Sequence, residues 1–334
     1  MILVTGAAGH LGNVLVRELL ARGKTVRALV LPEENCQSLS ELDVELFKGD
    51  ILEPDTLNAA MQGVDTVFHL AGLVAISPGQ EQSLWRVNVK GTENVIEAAR
   101  RAGVRRLVYT SSIHALTRPP EGVTIDESLP FDPKNPAGMY DCTKAEASLR
   151  VLHAVKEEGL NAVIVCPTGV IGPYDYRRSE MGEMILTWMK SNPSMIVDGA
   201  FDFVDVRDVA QGHLLAAELG RTGETYILGG EHISVKRLCQ LVKDYAGNHA
   251  PTIKIPLPLA MFFSRFAEIY YRLSRKRPTF TRYSLETLLS NSKISSGKAK
   301  KELGYQPRNL AVSLADTVRW WMEHRNLVRP TLRL

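Results

Sequence analysis

The apolar and polar positions in the first half of the chain follow two alternating rhythms. Short runs that are apolar at nearly every position predict strands buried on both faces, as parallel strands are. Between these runs, apolar residues three and four positions apart predict helices near residues 10–22, 54–62, 83–102 and 138–158. Strands are predicted at Ile2–Thr5, Thr25–Val30, Val44–Lys48, Thr66–Leu70, Leu107–Ser111, Ala162–Pro167 and Glu224–Leu228. Strands that alternate with helices predict an α/β fold with a doubly wound parallel sheet.

Beyond Gly172, prolines and glycines separate shorter helical stretches, which indicates a second and smaller unit. The segment 257–275 is apolar with interleaved Arg and Glu residues. This pattern fits a lid helix over a cavity, our preferred interpretation, or a helix in peripheral contact with a membrane. We predict one domain over residues 1–172, with 203–230 returning to it, and a smaller substrate-binding domain over 173–202 and 231–334.

Composition narrows the class of protein. The 334 residues are 45% hydrophobic, enough for a large core, and the net charge of +3 does not suggest a nucleic-acid partner. The four cysteines lie far apart without a CxxC pair, which predicts reduced thiols, and we expect no metal site. The chain contains no run of about 18 apolar residues, so we predict no membrane span. The first predicted strand leaves no room for a secretory signal, so we expect none. We therefore expect a cytoplasmic protein.

Three glycines, Gly6, Gly9 and Gly12, follow the first predicted strand and lead into a helix. Gly6 allows a tight exit from the strand, Gly9 leaves the backbone open to a phosphate, and Gly12 lets the helix approach the sheet. The free N–H groups and the partial positive charge at the helix N-terminus would then face the phosphates. This arrangement predicts a dinucleotide site, and the alternative is a glycine-rich turn without a ligand.

The end of the second predicted strand bears on the choice between NAD and NADP. An acidic residue there favours NAD and an arginine favours NADP, but Val30 and Leu31 occupy these positions. Because no acidic residue stands there to repel a 2′-phosphate, the sequence leans slightly to NADP(H). Arg27 could help to bind that phosphate only if it points away from the sheet. Asp50 is placed either to accept a hydrogen bond from the adenine amino group or to form a turn.

Tyr140 and Lys144 are spaced to share one face of a predicted helix. A nearby ammonium stabilises a phenolate, so we expect Lys144 to lower the pKa of this tyrosine from its ordinary value of ~10. Tyr140 could then give a proton to a carbonyl oxygen, or take one from an alcohol, while Lys144 also holds the cofactor ribose. Ser112, at the end of the fifth predicted strand, is our choice for holding the substrate oxygen, with Ser111 as the alternative.

Six motifs, in this order, carry a resemblance to a known family. They are Thr5-Gly6-x-x-Gly9-x-x-Gly12, His69-Leu70-Ala71-Gly72, Asn88-Val89-x-Gly91-Thr92, Ser111-Ser112, Tyr140-x-x-x-Lys144 and Pro167-Thr168-Gly169-Val170-x-Gly172-Pro173. Together they resemble the extended short-chain dehydrogenase/reductase family of NAD-dependent epimerases and dehydratases, and within it the dihydroflavonol-reductase-like branch. The resemblance covers nearly the whole chain. It implies a Rossmann-type fold, a nicotinamide cofactor, and a homodimer formed through the helices 83–102 and 138–158.

The resemblance also assigns roles to individual residues, beginning with Ser112, Tyr140 and Lys144 as the catalytic trio. His69 is expected to pack under the cofactor, and Asn88 either contacts the cofactor or only ties strand ends together. The other residues assigned to the cofactor are Gly6, Ala8, Gly9, His10 and Leu11 at the pyrophosphate, Asp50 and Ile51 at the adenine, Leu70, Ala71 and Gly72 along the adenosine and ribose, and Thr110, Ser111, Pro167 and Val170 towards the nicotinamide.

The choice of function within the family rests on what this chain lacks. Nucleotide-sugar enzymes of the family usually carry an Arg just before the Phe203-Val204-Asp205 stretch, whereas here Asp202 would repel a diphosphate. The acidic pair that dehydratases need after the serine strand is replaced by Ile113 and His114. The pocket that remains is mostly apolar, and we expect it to be bordered by Leu73, Ile113, His114, Met139 and Tyr174, with the segment 261–266.

We therefore predict an NAD(P)-dependent oxidoreductase that reduces an aldehyde or ketone of a small, mostly apolar substrate, or oxidises the corresponding alcohol. Two alternatives stay open at this point. One is an NAD-dependent sugar epimerase, which oxidises its substrate transiently and returns the hydride to the other face. The other is a non-catalytic regulatory module that binds the dinucleotide without turnover.

Overall fold

The computed structural model describes residues 1–75, 79–190, 192–264 and 282–324. Its strands are β1 (Ile2–Thr5), β2 (Val26–Val30), β3 (Glu45–Lys48), β4 (Thr66–His69), β5 (Arg106–Thr110), β6 (Ala162–Pro167), β7 (Gly169–Ile171), β8 (Ser194–Ile196), β9 (Ala200–Asp205), β10 (Thr225–Leu228), β11 (Glu231–Ser234) and β12 (Thr252–Lys254). Seven of them form one sheet in the order β10-β6-β5-β4-β1-β2-β3, and every pair in it is parallel. The strand order reverses between β1 and β4, where ligands bind in such sheets.

Both faces of the central sheet are buried, because successive side chains of a strand point to opposite faces. In β1, Leu3 belongs to one core and Val4 to the other. The same alternation places Leu107 of β5 in the first core and Val108 in the second. The near-continuous apolar runs that predict these strands therefore result from burial on two sides.

Helices cover both faces of the sheet. They are α1 (His10–Ala21), α2 (Pro54–Ala60), α3 (Glu81–Leu84), α4 (Gly91–Arg101), α5 (Met139–Glu158), α6 (Glu180–Met189), α7 (Val206–Leu219), α8 (Val235–Ala246), α9 (Arg282–Leu289), α10 (Gly297–Leu303) and α11 (Leu310–His324), and residues 257–264 are also helical. Helices α1 and α7 pack together and share one core, whereas α2, α4 and α5 contribute to the other. The predicted doubly wound, Rossmann-type α/β fold is confirmed.

The helix predicted over residues 83–102 is interrupted in the structure. A π-helical turn, Trp85–Lys90, joins α3 to α4. It carries the buried Asn88, whose carbonyl accepts a hydrogen bond of 2.6 Å from the hydroxyl of Thr92. Periodicity could not predict this feature, because one wider turn hardly changes the spacing of apolar residues, and such turns often occur at functional sites.

Two smaller sheets lie outside the central one. Strands β11, β9 and β7 form a three-stranded sheet, and β12 pairs with β8. Helix α7 and strand β10 pack on or pair with the central sheet, which agrees in place with the segment predicted to return there, and we keep the division into two domains as a proposal. Within the described ranges, no helix is both long and apolar enough to cross a membrane. Most of the segment 257–275, for which peripheral membrane contact is an alternative, lies outside the described residues.

Candidate active site

The glycine-rich turn adopts a backbone that larger residues could not share. Gly6 has φ +68°, and a Cβ atom there would lie 2.7 Å from the amide nitrogen of Ala71. A Cβ atom on Gly12 would lie 2.1 Å from the carbonyl oxygen of Gly6. Gly9 is the N-cap residue of α1 and provides no side-chain cap, and the first turn contains no acidic residue. The first N–H groups of α1 therefore suit a pyrophosphate, so the residues present fit a dinucleotide.

Neighbouring loops hold this turn in place. The carbonyl of Ala8 accepts a hydrogen bond of 3.2 Å from Ser38, and a ring nitrogen of His10 lies 3.0 Å from the carbonyl oxygen of Pro173. Leu11 is half-buried and packs against the core that α1 and α7 share. The loop after β7 thus approaches the N-terminus of α1, at the place predicted for the pyrophosphate.

The segment after β4 runs from the sheet towards Lys144. Leu70 and Ala71 donate backbone hydrogen bonds to Thr5, and a Cβ atom on Gly72 would lie 3.7 Å from Nζ of Lys144. Asn88 fixes the next residue, because its amide accepts a hydrogen bond from the N–H of Leu73 at 2.7 Å and donates one to the Leu73 carbonyl at 3.0 Å. The same side chain donates to the hydroxyl of Thr143 at 3.1 Å.

Asn88 is therefore best described as a positioning residue, because its donors and its acceptor already have protein partners. Of the two roles left open by the sequence, the structure favours tying the end of β4 to α5. His69 also bonds only to neighbouring protein groups, the hydroxyls of Thr5 at 2.8 Å and Thr92 at 3.0 Å. Burial, with the charge of Lys144, lowers the pKa of His69 to about 3, so the ring is neutral.

Lys144 is buried one turn into α5. Its ammonium donates a hydrogen bond of 2.5 Å to the carbonyl of Thr110 and lies 4.8 Å from the centre of the Tyr109 ring. Burial is the cause that lowers the pKa of Lys144 to about 8. The side chain is thus held at the carboxyl end of β5, beside the segment predicted to follow the ribose.

Tyr140 and Ser112 share a side-chain hydrogen bond, and their joint catalytic role stays a prediction. A hydrogen bond with the Ser112 side chain lowers the pKa of Tyr140, but burial outweighs it and raises that pKa to about 12. The expected lowering by Lys144 is therefore not seen, since the ammonium is directed to Thr110 and the phenol is desolvated. A phenol that keeps its proton at neutral pH is suited to donate it to a developing alkoxide.

The structure separates the two candidate serines. The Oγ atom of Ser111 lies 2.7 Å from Oγ of Ser148 on α5, in the interior. Ser112 is the N-cap of the 3-10 turn Ile113–Ala115 and accepts a hydrogen bond of 3.2 Å from the N–H of His114. Ser112 is therefore the serine that faces Tyr140, whereas the assignment of Ser111 to the cofactor stays a prediction.

The remaining residues assigned to the cofactor lie along the carboxyl edge of the sheet. Thr110 bonds through its hydroxyl to His213 at 2.8 Å and through its carbonyl to Lys144. Asp50 accepts a hydrogen bond of 2.9 Å from the N–H of Leu52, which matches the turn that was its alternative role. Ile51 is buried against Gly91, Pro167 ends β6, and the half-buried Val170 lies in β7.

Aromatic rings gather around His114, in the turn that follows Ser112. The His114 ring stacks on Phe201 with the centroids 5.5 Å apart, and Tyr283 of α9 meets it at 6.2 Å, edge on. Burial, with the charge of Arg118, lowers the pKa of His114 to about 3, so this ring is neutral. Three other residues were predicted to border the substrate. Of these, Ile113 is buried, and Leu73 and Met139 are half-buried. Residues 265 and 266 lie outside the described ranges.

Tyr174, which the sequence predicts at the substrate border, has contacts of its own in the structure. Its ring lies 4.7 Å from the Arg17 guanidinium and also contacts Trp320, and its carbonyl accepts a hydrogen bond from Asn13. These contacts place Tyr174 beside α1, because its φ of +68° turns the chain there after β7.

Asp202 is a correction to the sequence analysis. Its carboxylate is buried and accepts hydrogen bonds from the hydroxyl of Thr168 at 2.7 Å and from the N–H of Gly230 at 2.8 Å. Burial raises the pKa of this carboxyl, with the two hydrogen bonds opposing the rise. Asp202 therefore gives no argument about a diphosphate. The neighbouring Phe201 instead packs against His114, because alternate residues of β9 face opposite ways.

Several residues near the site were missed by the sequence analysis. The carboxylate of Glu34 accepts a hydrogen bond of 2.9 Å from the N–H of Leu31, at the end of β2, and pairs with Arg177. An acidic group is thus present where the sequence suggests none. Arg27 bonds to Glu45 and to the carbonyls of Ala60 and Gln62, so its guanidinium is occupied there. No local signal reveals the position of Glu34, because the turn after β2 places it.

Comparison with known proteins places this geometry in a family. The model of the NAD dependent epimerase/dehydratase family matches residues 2–229. The chain belongs to this family. Sterol demethylase protein B of Methylococcus capsulatus is 38% identical over 324 residues, which cover 96% of this chain and 98% of the relative. A putative dihydroflavonol 4-reductase of Synechocystis sp. is 34% identical over 325 residues, which cover 96% and 94%.

Solved structures agree with this placement. The crystal structure of gox2253 is 36% identical, with a TM-score of 0.85, and the match covers 98% of this chain and 99% of that one. DesIV from Streptomyces venezuelae, a dTDP-glucose 4,6-dehydratase with NAD and TYD bound, is 25% identical with a TM-score of 0.79, covering 97% of each chain. The predicted extended short-chain dehydrogenase/reductase family is confirmed, and so is the prediction of an NAD(P)-dependent oxidoreductase.

In this epimerase/dehydratase family member, the site brings together the Tyr140 phenol, the Ser112 hydroxyl and the buried Lys144 ammonium. Tyr140 can give a proton to an oxygen, Ser112 can hold that oxygen, and Lys144 can hold hydroxyl groups of a dinucleotide near them. Asp141, directly after Tyr140, is buried and bonds to Arg118 and Tyr283. Three of these side chains, Tyr140, Asp141 and Lys144, therefore lie in the first two turns of α5.

Replacement of Lys144 by methionine tests the cost of this buried cation. Because the folded-state pKa of Lys144, about 8, lies below the ordinary value of 10.5, the charge costs stability fully below pH 8, and the cost fades as the pH rises. Lys144→Met should therefore raise the free energy of unfolding at pH 7, by on the order of 2 kcal/mol. The gain should shrink towards pH 10, while dinucleotide affinity falls.

Urea unfolding at pH 7 and at pH 9.5 measures the effect, with the exposed Lys134→Met as the control. A Lys144→Met protein that is less stable than the wild type at pH 7 would contradict the assignment of a costly buried charge.

Proposed function

We propose that this protein reduces an aldehyde or ketone of a mostly apolar substrate, or oxidises the corresponding alcohol, with NAD(H) or NADP(H). The observation that supports this most is the pairing of Tyr140 with Ser112 beside the buried Lys144, at the carboxyl ends of β4 and β5. A carbonyl oxygen between these two hydroxyls would receive a proton from Tyr140 and a hydrogen bond from Ser112.

The residues that would hold the cofactor are the turn around Gly9 and the segment 70–72, with Lys144 at the ribose. When bound, the nicotinamide supplies the hydride and accepts it in the reverse reaction. Ser112 donates a hydrogen bond to the substrate oxygen and orients it. Tyr140 transfers its proton to that oxygen as negative charge develops there. In the oxidative direction the same phenol must first lose a proton, and the Lys144 ammonium would stabilise the phenolate if it turned from Thr110 towards Tyr140.

The surroundings of the pair favour an apolar substrate. His114, Phe201 and Tyr283 form an aromatic wall, and His114 is neutral because desolvation and the charge of Arg118 lower its pKa. The ionised neighbours Asp141 and Arg118 bond to each other at 3.0 Å. The names of the relatives, which refer to a sterol and to a dihydroflavonol, agree with a ring-containing substrate. A sugar diphosphate would find mainly apolar rings here, and this argues against the epimerase alternative.

Replacement of Tyr140 by phenylalanine, with a carbonyl panel, tests the proposed chemistry. The wild type should consume NADH or NADPH with at least one of dihydroquercetin, a 3-keto steroid and benzaldehyde, followed at 340 nm. Tyr140→Phe should lower kcat by about 10²- to 10⁴-fold and leave dinucleotide affinity nearly unchanged, because only the proton donor is lost.

Tyr245→Phe, at an exposed tyrosine on α8, is the matched control and should behave as the wild type. Turnover that survives in Tyr140→Phe would refute the acid–base role. Interconversion of UDP-glucose and UDP-galactose without net change at 340 nm would favour the epimerase, and binding of dinucleotide without any turnover would favour the regulatory module.

We propose that the enzyme prefers NAD(H), which reverses the slight lean of the sequence to NADP(H). Glu34 supports this preference. Its carboxylate accepts a hydrogen bond from the N–H of Leu31 at the end of β2. From there it can accept a hydrogen bond from a ribose hydroxyl, and it would repel a 2′-phosphate. Arg177 pairs with Glu34 and reduces that repulsion without removing the acid from the site.

Titration of the two dinucleotides tests this preference. The wild type should bind NAD⁺ more tightly than NADP⁺ in a thermal-shift or fluorescence titration. Glu34→Gln should improve NADP⁺ binding relative to NAD⁺, because the charge is removed while the shape is kept. Glu33→Gln, at the exposed neighbour, is the control. Tighter binding of NADP⁺ by the wild type would show that the lean of the sequence was right.

We infer that the protein is a homodimer formed through the helices of residues 83–102 and 138–158. Two large apolar side chains in these segments support this, Trp85 with 45% and Leu149 with 37% of its surface exposed.

The four cysteines are all free, and this supports the inference of a reducing, cytoplasmic location.

Solution mass tests the dimer. Light scattering should give twice the 37.0 kDa of one chain, and Trp85→Lys combined with Leu149→Glu should shift the mass towards one chain by placing charge in the contact. Met195→Lys, at another exposed apolar residue, is the control and should leave the mass unchanged. A wild type with the mass of a single chain would refute the inference.

A further inference from the structure

Asp141 is the most deeply buried acidic residue beside the proposed proton donor. It has no exposed surface, and it follows Tyr140 directly in the first turn of α5. Its carboxylate accepts a hydrogen bond of 3.0 Å from Arg118, in the loop after β5, and one of 2.6 Å from the hydroxyl of Tyr283, on α9. Three separate parts of the chain thus meet at one carboxylate.

Tyr283 connects this carboxylate to the substrate side of the site. Its ring meets the His114 ring edge on, and it lies within 3.3 Å of where a Cβ atom of Gly138 would be. Gly138 is the N-cap of α5, so α9 packs directly on the start of the helix that carries Tyr140. The absence of a side chain at Gly138 permits this close approach.

We propose that Asp141 is a positioning residue, which together with Arg118 and Tyr283 fixes the start of α5 against α9 and so directs the Tyr140 phenol at the substrate oxygen. The proposal rests on the proposed acid–base role of Tyr140. It assigns α9 a part in the chemistry, because a movement of α9 on substrate binding would reach Tyr140 through one carboxylate.

The cost of keeping this carboxylate charged in the interior supports a role beyond packing. Burial raises the pKa of Asp141 to about 6, above the ordinary value of 3.8, although Tyr283 and Arg118 act against the rise. Among the described residues, the charge of Asp141 also acts on Tyr140 and Cys142 of the same helix, and both of these groups are uncharged at neutral pH. The ionised carboxylate therefore costs stability above pH 6, a cost that is lost as the pH falls towards 3.8. A charge kept at such a cost is typical of a functional position.

Two variants test the proposal, with Tyr245→Phe again as the control. Asp141→Asn keeps the shape and removes the charge, and Tyr283→Phe removes only the hydroxyl that donates to the carboxylate. Each should lower kcat for dihydroquercetin, or for whichever of the panel compounds is turned over, by about tenfold or more with little change in the KM of the dinucleotide. The melting temperature of Asp141→Asn at pH 8 should equal or exceed that of the wild type.

A second measurement needs neither cofactor nor substrate. Hydrogen–deuterium exchange of the backbone amides of residues 142–146, which begin with the bond from the N–H of Cys142 to the Gly138 carbonyl, should be about tenfold faster in both variants. Unchanged exchange in both variants would overturn the proposal, and so would activity lost only in step with the melting temperature. If Tyr140→Phe stays active while exchange still increases, the acid–base role fails and the link through Asp141 stands.

Discussion

The burial of charge around a single phenol is the constraint on which the site depends. Tyr140 lies in the first turn of α5, with the cation of Lys144 one turn further on and the carboxylate of Asp141 beside it. Both charges are buried. Burial raises the pKa of Asp141 and lowers the pKa of Lys144, and each shift favours the neutral form. A helix that carries both must be held tightly at its start, because unpaired charges in the interior would otherwise be too costly. The contacts to Thr110, Arg118 and Tyr283 provide that support from three directions.

This arrangement explains how a phenol with a high pKa can serve as a proton donor. Burial raises the pKa of Tyr140 to about 12, so the phenol keeps its proton at neutral pH. In the proposed reaction, an alkoxide that forms next to Ser112 and Tyr140 is a stronger base than the phenolate, so the proton passes to it readily. The central sheet contributes by bringing the carboxyl ends of β4 and β5, with Ser112 just beyond β5, to the edge that α5 faces.

The sequence could predict the parts of the molecule that depend on local pattern. Buried parallel strands, the glycine-rich turn and the spacing from Tyr140 to Lys144 are written in consecutive residues, and the structure has the strands and the turn where they were expected. What depends on distant contacts could not be predicted. The position of Glu34 depends on the turn after β2, and the bond between Asp141 and Tyr283 joins residues 142 positions apart. The pKa of Tyr140 was expected to fall, but spacing along a helix says nothing about burial or about where the Lys144 ammonium is directed.

A crystal structure of the ternary complex, with the oxidised dinucleotide and the alcohol formed from the active panel compound, tests the central claim most directly. The account predicts that the alcohol oxygen lies within hydrogen-bonding distance, about 2.6–3.2 Å, of both the Tyr140 hydroxyl and Oγ of Ser112. An oxygen held by other groups, with the Tyr140 hydroxyl out of reach of the substrate, would contradict it.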